Sequence, residues 1–573
     1  MNLNKSMQKR WVERNSVNNN TVISLTNSLN ISPVLASLLV QRGVQHFEDA
    51  KQFFRPSLAH LHDPFLMRDM EVAIRRIEQA IGNKEHILIY GDYDVDGTTA
   101  VAVLYSFLKR YYGHIGYYVP DRYKEGYGIS FQGIDYAGRN QYTLIIALDC
   151  GIKSVDKVAY AKAKGIDFII GDHHTPGPQL PDAVAVLDPK RIDCTYPYKE
   201  LSGCGIAFKI IQAFAKTNQL QEAEVYQYLD LVAVSIASDI VPITGENRVL
   251  AYFGLKKLNN NPNFGLKALI DLSSKVGDLN LTDVIFQIGP RINAAGRIEH
   301  AKDAVKLLIA RSAEEAKSCC DLVDIQNMQR KDFDAKITAE ALTLIQTNEQ
   351  LQKRKTTVVY QENWHKGVIG IVASRLTERY YRPTIVLTKS NGHVAGSARS
   401  VAGFDLYEAL AACSDLLEQF GGHKYAAGLT MKVENVSALQ SRFEEVVAQS
   451  IAPELLEPEI VIDAPLKLTD ITPKFFRILK QFAPFGPENH APVFLAKNLY
   501  IQGAASLVGV NHLKMFVTQE GAPVFDCIGF GLGAYLPQLN KGIPFSACFC
   551  IEENIWRDKR SIQLNIKGIR LEV

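Results

Sequence analysis

A strand-to-helix stretch with three carboxylates constrains the fold of this chain more than any other feature. Residues 86–90, HILIY, form an apolar run bounded by turn formers, which predicts a buried strand. An apolar helical pattern covers residues 99–108. Asp92, Asp94 and Asp96 lie between the two. Because ligands in open α/β sheets bind at the carboxyl ends of strands, these side chains mark a candidate site.

Three carboxylates this close together repel one another, so they need a cation between them or the loss of some of their charge. Alternate residues of an extended segment point the same way, and we therefore expect Asp92, Asp94 and Asp96 to project on one side. The alternative interpretation is a solvated acidic loop or a set of helix caps. The position directly after a buried strand favours a metal site.

The segment that follows alternates between strand and helix patterns. Apolar runs at residues 115–119, 144–148, 167–170 and 184–187 predict strands, and helical patterns such as residues 155–163 lie between several of them. This βαβ alternation predicts an α/β fold with a mostly parallel sheet and helices on both faces.

Several apolar stretches end in residue types that bind metals. Two of the predicted strands do so, and the apolar stretch at residues 231–237 does the same. One such ending is unremarkable, because Asp is a common turn residue. Together with the strand at residues 86–90, four apolar stretches of one sheet end in this way. Their carboxylates and imidazoles suit a pair of Mn²⁺ or Mg²⁺ ions. Zinc suits them less, because no thiolate set is present. The residues delivered in this way are Asp149, Asp172, His173, His174 and Asp239.

The other parts of the chain have different patterns. Residues 1–80 carry apolar residues at helical spacing and nothing that suggests chemistry. Residues 312–346 contain neither Pro nor Gly, which predicts a long bridging helix. Residues 357–360 begin a new α/β segment, and short strands from about residue 456 predict a small barrel.

Composition limits the partners and the compartment. The length of 573 residues predicts about three to four domains. The net charge is only +2, so a polyanion must bind local basic patches. No run approaches the ~18 apolar residues of a membrane span, and the N-terminus has no apolar signal core. The nine Cys are scattered without a C-x-x-C pair, which is typical of a reduced, cytoplasmic protein.

Four motifs in this order resemble those of the DHH phosphoesterase superfamily. They are DYDVDG at residues 92–97, LDCG at 148–151, DHH at 172–174 and ASD at 237–239. Residues 121–128, 201–208 and 289–297 further resemble the single-stranded-DNA-specific exonucleases within it, so the resemblance covers nearly the whole chain. It implies a divalent-metal-dependent exonuclease that hydrolyses phosphodiester bonds of single-stranded DNA from the 5′ end, in DNA repair and recombination.

The resemblance also implies roles for the motif residues. Two divalent cations, Mn²⁺ or Mg²⁺, are expected, with Asp149 bridging them. Asp92 is expected as a further ligand or as a neighbour of the ligands, and His174 as a contact to phosphate rather than to metal. A His174 satisfied within the core is the alternative. The implied catalytic set is Asp94, Asp96, Asp149, His173, His174 and Asp239.

Glycine-rich segments at residues 367–375, 396–400 and 421–428 resemble the DHH-associated domain. Glycines let backbone N–H groups approach an anion, and helix N-termini add partial positive charge, although a tight turn with a helix cap explains such segments equally well. An Arg fork with a hydroxyl suits a terminal phosphate, so Arg122 with Ser397 and Arg399 is expected to hold the 5′ phosphate. All DNA or phosphate contacts expected are Arg122, Tyr127, Arg291, Asn293, Arg297, Arg375, Ser397, Arg399, His423, Lys424, Lys514 and Trp556.

The C-terminal strands resemble an OB-fold. Lys514, Phe516, Trp556 and Arg557 are candidates for stacking on bases and pairing with phosphates. The alternative is that half or more of the aromatic residues fill the barrel interior. One departure from the resemblance is Glu488, at a position where Gly is expected after a turn.

The expected architecture has five parts. They are a helical extension at residues 1–80, the DHH catalytic domain at 81–311, a bridging helix at 312–347, the DHH-associated domain at 348–455 and an OB-fold-like barrel at 456–573. The expected partner is single-stranded DNA, and a single-strand-binding protein and a helicase are candidate partners. We expect a monomer that does not bind membranes.

Two other functions stay open on the sequence alone. A phosphoesterase acting on pyrophosphate or short oligonucleotides shares the metal site, but a small substrate needs no long groove or barrel. A non-catalytic nucleic-acid scaffold is free to lose metal ligands, whereas this chain has every expected carboxylate. Product length and end preference on a labelled single strand separate these functions.

Overall fold

The structure, a computed structural model, describes residues 9–273, 275, 277–556 and 559–572. The chain divides into two compact units. The first comprises Lys51–Arg330 and Phe482–His490. The second comprises the described residues up to Ala50, Lys331–Gln481 and the described residues from Ala491 onwards.

A five-stranded parallel sheet forms the centre of the first unit. All four neighbouring strand pairs are parallel, which confirms the predicted parallel sheet. Across the sheet the strands are Ile115–Tyr118, His86–Gly91, Tyr142–Leu148, Asp167–Gly171 and Ala185–Leu187.

Hydrophobic clusters cover both faces of this sheet. Ile87 and Ile89 belong to one cluster, whereas Leu88 and Tyr90 belong to another. Burial on both faces explains why the strand reads as a continuous apolar run without polar alternation. The helices of the unit beyond residue 60 include Met70–Gly82, Val95–Leu108, Phe131–Arg139, Val155–Ala163, Gly203–Thr217, Ala223–Tyr226, Leu229–Ser238, Gly245–Asn260, Phe264–Asp271, Gly289–Ile298 and Lys302–Leu308.

The apolar stretch before Asp239 is a helix, Leu229–Ser238, and not a strand. The prediction that four apolar stretches end at one sheet is therefore wrong for this stretch. An apolar run buried on every side carries no periodicity that separates strand from helix. The helix packs against the helices Val95–Leu108 and Gly203–Thr217, and this packing places Asp239 at its C-terminal end.

The helix that follows the strand His86–Gly91 begins earlier than predicted. It spans Val95–Leu108, and Asp94 is its N-cap, accepting a hydrogen bond from the Gly97 N–H at 3.0 Å. Asp96 is therefore a residue of the first helical turn. The sequence pattern predicts that Asp92, Asp94 and Asp96 share one side of an extended segment. This prediction is wrong, because the helix begins directly after its N-cap Asp94 and Asp96 is already helical.

The predicted long helix is confirmed. Ala313–Thr347 runs for 35 residues without Pro or Gly, beginning in the first unit and ending in the second. In the second unit, the predicted α/β segment begins at the strand Thr357–Tyr360. The mixed sheet there runs in the order Gln419–His423, Ala426–Met431, His393–Arg399, Thr384–Ser390 and Thr357–Tyr360, with the helices Glu349–Lys353, Ile369–Tyr380, Leu406–Ala411 and Val436–Ser450.

A second sheet in this unit forms the predicted barrel. Phe494–Ile501 pairs with Phe545–Trp556 and also with His512–Thr518, through only two residue pairs. The sheet therefore curls into a partly open barrel, as in an OB-fold. The strands, in order, are Ala464–Pro465, Phe494–Ile501, Phe545–Trp556, Lys559–Leu571, Phe525–Gly529, His512–Thr518 and Ser506–Val508, and the helices nearby are Pro473–Lys480 and Leu536–Leu539.

The described part of the N-terminal region is mostly helical, as predicted, but it also contains a strand. Arg10–Glu13 pairs in parallel with Glu459–Ile462. Trp11 in this strand packs beneath the Arg570 guanidinium, 4.2 Å from the ring centroid. The helices that follow are Asn19–Leu29, Pro33–Gln41, where Ser32 is the N-cap, and Phe47–Phe54.

A short segment of the C-terminal third of the chain belongs to the first unit. In Phe482–His490, the Pro487 carbonyl accepts a hydrogen bond from the Ile243 N–H at 2.8 Å. The Phe482 carbonyl accepts one from Arg248 Nη1 at 2.9 Å. Removing residues 456–573 would therefore also remove contacts that support the first unit, so point substitutions are the cleaner test of the barrel.

We expect Glu488→Gly to stabilise the protein by about 0.5–1 kcal/mol. Glu488 is exposed and has φ 58°, a left-handed conformation that costs a side-chain-bearing residue more than it costs Gly. Urea denaturation measures the change. Glu457, exposed with φ −113°, provides the control, because Gly there is expected to destabilise. A Glu488→Gly protein less stable than the parent would contradict the prediction.

No single helix among the described residues is both long enough and apolar enough to cross a membrane. The helices Asn19–Leu29 and Pro33–Gln41, bent by 120°, meet the length and composition requirements only as a pair.

Candidate metal centre

His173 lies among three carboxylates. Its Nε2 is 3.1 Å from Asp149 Oδ1 and 3.6 Å from both Asp96 Oδ2 and Asp239 Oδ2. Within the described residues, neither ring nitrogen has a hydrogen-bond partner, although the side chain is buried. Burial lowers the pKa of His173, so the ring is neutral and carries a lone pair. An uncharged imidazole surrounded by carboxylates in this way is typical of a metal ligand.

Neighbouring strands bring Asp149 and His173 together. Asp149 directly follows the strand Tyr142–Leu148, and His173 lies two residues after the adjacent strand Asp167–Gly171. Because the strands are parallel, both ends lie at the same edge of the sheet. The Asp149 N–H donates to the Gly171 carbonyl at 2.9 Å, and Asp149 has φ 59°, which turns its side chain away from the strand direction.

Asp96 is held by groups distant in sequence. Its Oδ2 accepts from the Gly203 N–H at 2.6 Å, and its Oδ1 accepts from the Cys204 N–H at 2.8 Å and from Ser235 Oγ at 2.6 Å. Gly203 and Cys204 begin the helix Gly203–Thr217. A helix N-terminus favours a negative charge, so these bonds stabilise the carboxylate of Asp96 where it faces His173.

Positive side chains near the cluster, such as His174 and Lys190 beside Asp239, compensate its carboxylates only in part. Burial, followed by the charges of Asp96 and Asp94, raises the pKa of Asp239 to about 9. Burial and the same two neighbours raise the pKa of Asp149, and burial also raises the pKa of Asp92 and Asp94. A divalent cation removes this cost by supplying the missing positive charge.

The donor set fits Mn²⁺ or Mg²⁺. The described residues contain two groups of possible ligand atoms. Within each group all the atoms lie within 4.8 Å of one another, and His173 belongs to both groups. Carboxylate oxygens with imidazole nitrogen suit hard divalent cations. The groups are Asp149 with His173 and His174, and Asp96 with His173 and Asp239.

The sequence placed Asp92 and Asp94 in the ligand set, but both lie outside these two groups. Asp92 Oδ1 accepts a hydrogen bond from the Gly128 N–H at 3.1 Å, whereas its buried Oδ2 has no partner within the described residues. Asp94 is half-buried and caps its helix. Their roles as metal ligands stay predictions.

His174 is charged and fixed by Asp172. Its Nδ1 lies 2.7 Å from Asp172 Oδ1. Burial opposes the charge on His174, but the bond to Asp172 and that carboxylate's charge raise its pKa to about 9. Burial alone would raise the pKa of Asp172, but His174 and a backbone N–H bond from Ile152 lower it to about 2. The pair is therefore ionic at neutral pH, and His174 carries a positive charge beside the carboxylate cluster.

The catalytic set predicted from the sequence leaves out three residues that organise this site. Asp172 orients His174, Ser235 bonds to Asp96, and buried Tyr90 donates to the Gly128 carbonyl at 3.0 Å. The acid that opens the 172–174 motif was a usable signal for Asp172. Ser235 lies within a helix, and no local pattern distinguishes it from an ordinary core serine.

The expected DNA contacts in the first unit are partly engaged within the protein. The Arg122 guanidinium lies 4.7 Å from the centroid of the Tyr93 ring. Arg291 Nε donates to Asp324 Oδ1 at 3.0 Å. Half-buried Asn293 and Arg297 share the helix Gly289–Ile298 with Arg291. The Tyr127 hydroxyl lies 3.2 Å from His174 Nε2, so this DNA-contact candidate touches the predicted catalytic set.

In the second unit, Arg399 and Ser397 form a pair beside a helix start. Arg399 Nη1 donates to Ser397 Oγ at 3.0 Å, and a Cβ on Gly370 would lie 3.0 Å from the Ser397 hydroxyl and from Arg399 Nη2. The glycine therefore permits their close approach to the helix Ile369–Tyr380. Arg122 belongs to the first unit, so its joint action with Ser397 and Arg399 stays a prediction.

The remaining candidates in this unit have varied surroundings. Arg375 Nη2 donates to Asp334 Oδ2 at 2.7 Å, exposed His423 ends the strand Gln419–His423, and exposed Lys424 follows it. The Lys514 ammonium pairs with the Asp526 carboxylate, while Phe516 is 49 % exposed. The Trp556 side chain and Arg557 lie outside the described residues. None of these DNA-binding roles is tested by the structure.

Comparisons with protein families identify the parts of the chain. Residues 86–236 match the DHH family, N-terminal domain, residues 353–449 match the DHHA1 domain, and residues 462–568 match the RecJ OB domain. Together with the buried cluster at the strand ends, these matches define a DHH-family protein and confirm the predicted fold class.

Similar individual proteins show to which family within the DHH proteins this chain belongs. The chain is 40 % identical over 563 residues to the single-stranded-DNA-specific exonuclease RecJ of Bacillus subtilis strain 168, covering 97 % of this chain and 70 % of that protein. The crystal structure of RecJ in complex with Mn²⁺ from Thermus thermophilus superposes with a TM-score of 0.83 at 26 % identity, over 98 % of this chain and 79 % of that one. The crystal structure of the corresponding Mg²⁺ complex superposes with a TM-score of 0.77 at 26 % identity, over 98 % of this chain and 78 % of that one. The chain belongs to the RecJ family.

Proposed function

We propose that this protein is a divalent-metal-dependent exonuclease that hydrolyses phosphodiester bonds of single-stranded DNA from the 5′ end, in DNA repair and recombination. The observation that carries the proposal is the neutral His173 ring among the carboxylates of Asp96, Asp149 and Asp239. Membership of the RecJ family supports the substrate and the reaction, because its named members are single-stranded-DNA-specific exonucleases.

The proposed roles follow from the positions of the side chains. When bound, two Mn²⁺ or Mg²⁺ ions supply an activated water and neutralise charge on the scissile phosphate and the leaving oxygen. Asp149 would hold the ions together with His173, and Asp92 would be a further ligand or a neighbour of the ligands. The His174 cation, held by Asp172, binds the scissile phosphate. The proposed metal ligands are Asp94, Asp96, Asp149, His173 and Asp239.

A labelled single strand tests this function. With Mn²⁺, a 5′-labelled strand is expected to release the label at once in a very short product, whereas a 3′-labelled strand shortens progressively. EDTA is expected to stop both. Cleavage confined to pyrophosphate or to strands of a few nucleotides would support the small-substrate phosphoesterase instead. Tight DNA binding without any cleavage would support the scaffold.

The proposed setting is a cytoplasmic monomer that acts on single-stranded DNA, with a single-strand-binding protein and a helicase as candidate partners. The scattered free cysteines support a reduced compartment, since the described structure contains no disulfide. Light scattering on the purified protein tests the monomer, and co-elution with each candidate partner tests the interactions.

We expect Mn²⁺ to stabilise the metal-free protein. The buried charges of Asp149 and Asp239 are costly without a cation, and a ligand at about 100 times its Kd adds about 2.7 kcal/mol to the free energy of unfolding. Thermal denaturation in EDTA and in Mn²⁺ measures the difference. The Asp149→Asn variant is expected to lose most of the shift. An unchanged melting temperature for the parent protein in saturating Mn²⁺ would contradict a metal site here.

We expect Arg399→Ala to remove a preference for 5′-phosphorylated strands. Charge-assisted hydrogen bonds from a guanidinium contribute about 1.5–3 kcal/mol, so kcat/KM on the phosphorylated strand should fall about 10- to 100-fold. The rate on a 5′-hydroxyl strand should change little. Arg379→Ala, on the exposed side of the helix Ile369–Tyr380, is the matched control. An equal loss on both strands would show that Arg399 does not read the phosphate.

A further inference from the structure

The His174 ring is engaged at both of its nitrogens. Nδ1 lies 2.7 Å from Asp172 Oδ1, and Nε2 lies 3.2 Å from the hydroxyl of Tyr127. With Nδ1 occupied by the carboxylate, Nε2 is the nitrogen left for a phosphate, which shares the Nε2 proton with the Tyr127 hydroxyl. The Tyr127 hydroxyl therefore contacts the edge of the ring on which the proposed phosphate contact depends.

The Asp172 side of this arrangement is fixed by the backbone. Asp172 is buried, and its Oδ1 also accepts from the His173 N–H at 2.8 Å and the His174 N–H at 3.2 Å. Its Oδ2 accepts from the Ile152 N–H at 2.9 Å. These bonds hold the carboxylate in one place, but a single contact at Nδ1 still allows the ring to tilt about it.

The Tyr127 side is anchored to the C-terminal end of the strand His86–Gly91. Gly128, directly after Tyr127, donates its N–H to Asp92 Oδ1 at 3.1 Å, and its carbonyl accepts from the Tyr90 hydroxyl at 3.0 Å. Both Gly126 and Gly128 have positive φ, 87° and 77°, which turns the chain sharply on either side of Tyr127. The Tyr127 hydroxyl is thereby held over His174, while the residue stays 55 % exposed.

We infer that Tyr127 is a positioning residue, whose hydroxyl fixes the His174 ring from the edge opposite Asp172. The inference deepens the proposed function and rests on it, because His174 is there the contact to the scissile phosphate. It also gives Asp92 a second role, since Asp92 holds the backbone that carries Tyr127. A ring that is held at two edges has one orientation, so Nε2 keeps a fixed position. Small displacements of a catalytic group lower the rate strongly.

The inference differs from a direct DNA contact by Tyr127 in one testable respect. A stacking contact uses the aromatic ring, which Tyr127→Phe keeps, whereas positioning uses the hydroxyl, which that variant removes. Tyr160→Phe is the matched control. Its hydroxyl donates to Asp135 Oδ1 at 2.9 Å in the same unit, and Asp135 is not one of the cluster carboxylates.

The first measurement uses the metal-free protein and requires no activity. Deuterium modifies an imidazole by exchange at its C2 position, a reaction that proceeds from the charged ring and therefore suits His174, and fragment-ion mass spectrometry of the peptide separates His174 from His173. Tyr127→Phe is expected to raise the modification rate of His174 several-fold, because Nε2 loses its cover, while Tyr160→Phe leaves it unchanged. An unchanged rate in folded Tyr127→Phe overturns the inference, whether or not the protein cleaves DNA.

The second measurement is the steady-state kinetics on a 5′-phosphorylated strand with Mn²⁺. Tyr127→Phe is expected to lower kcat about 10- to 100-fold with KM little changed, as loss of an orienting partner does at metal sites. A raised KM with unchanged kcat, or an unchanged kcat beside faster modification of His174, overturns the inference. Faster modification in a protein without any exonuclease activity refutes the proposed function while the contact to His174 stands.

Discussion

Asp149→Asn is expected to lower kcat by about 10³- to 10⁴-fold while leaving much of the affinity for DNA. Asp149 Oδ1 is 3.1 Å from His173 Nε2, and its carboxylate belongs to one of the two candidate ligand groups. Losing one carboxylate of a metal site removes several kcal/mol of transition-state stabilisation, and about 5 kcal/mol corresponds to this range. Binding depends mostly on phosphate contacts elsewhere, so it should survive.

Asparagine is a better replacement than alanine at this position. Asp149 has φ 59°, and Asn adopts this left-handed conformation more readily than Ala does. The backbone of Gly203 also approaches closely, because a Cβ built there would lie 2.6 Å from Asp149 Cβ. An isosteric side chain therefore changes the chemistry while it preserves the packing.

The control for this experiment is Asp156→Asn. Asp156 lies in the first turn of the nearby helix Val155–Ala163, and its side chain is 63 % exposed. Turnover is measured on a labelled single strand, and DNA affinity by fluorescence anisotropy without cleavage. Near-normal turnover by a folded Asp149→Asn protein would refute the two-metal assignment.

Lys209→Met is expected to destabilise the protein by about 3–5 kcal/mol. Lys209 Nζ lies 2.7 Å from Glu246 Oε1, and both side chains are at most 1 % exposed. Glu246 also accepts from the Tyr196 hydroxyl at 2.6 Å and the His62 N–H at 2.8 Å. Removing the ammonium leaves a carboxylate buried without its counter-charge, which is far costlier than losing an exposed pair.

Urea denaturation of a double-mutant cycle measures this interaction. Lys209→Met with Glu246→Gln is expected to be more stable than the sum of the single changes predicts, since the Gln keeps an acceptor and carries no charge. Lys216→Met is the control, because Lys216 pairs with Asp63 at the surface and should contribute about 1 kcal/mol or less. Stability of Lys209→Met within about 0.5 kcal/mol of the parent would contradict the buried-pair account.

Local sequence patterns were sufficient for the elements that carry the site. The strand at residues 86–90 is recognisable because both of its faces are buried, so its apolar run is continuous. The residue type of Ser32, followed by Pro, is sufficient to predict an N-cap. The absence of Pro and Gly is sufficient to predict the helix Ala313–Thr347. The motif residues Asp149 and His173 were also identified from the sequence, because each follows a predicted strand.

Local patterns failed where burial removed the periodicity. The helix Leu229–Ser238 is apolar all round because other helices pack on it, so it reads like a buried strand. The start of the helix Val95–Leu108 was misplaced for a related reason, since a single side-chain bond from Asp94 decides it. In both cases a contact, and not the composition of the segment, selected the structure.

The sequence by itself determined the fold class, the order of the elements and most residues of the candidate site, since these depend on burial patterns and on motifs along the chain. Only the tertiary structure decided what those residues contact. Asp96 receives its N–H donors from residues 107 and 108 positions away and its hydroxyl donor from one 139 positions away. His174 is held between Asp172 and Tyr127, which comes from a different loop. Hydrogen bonds between distant segments depend on how the parallel strands and their helices pack, and no local pattern encodes that packing.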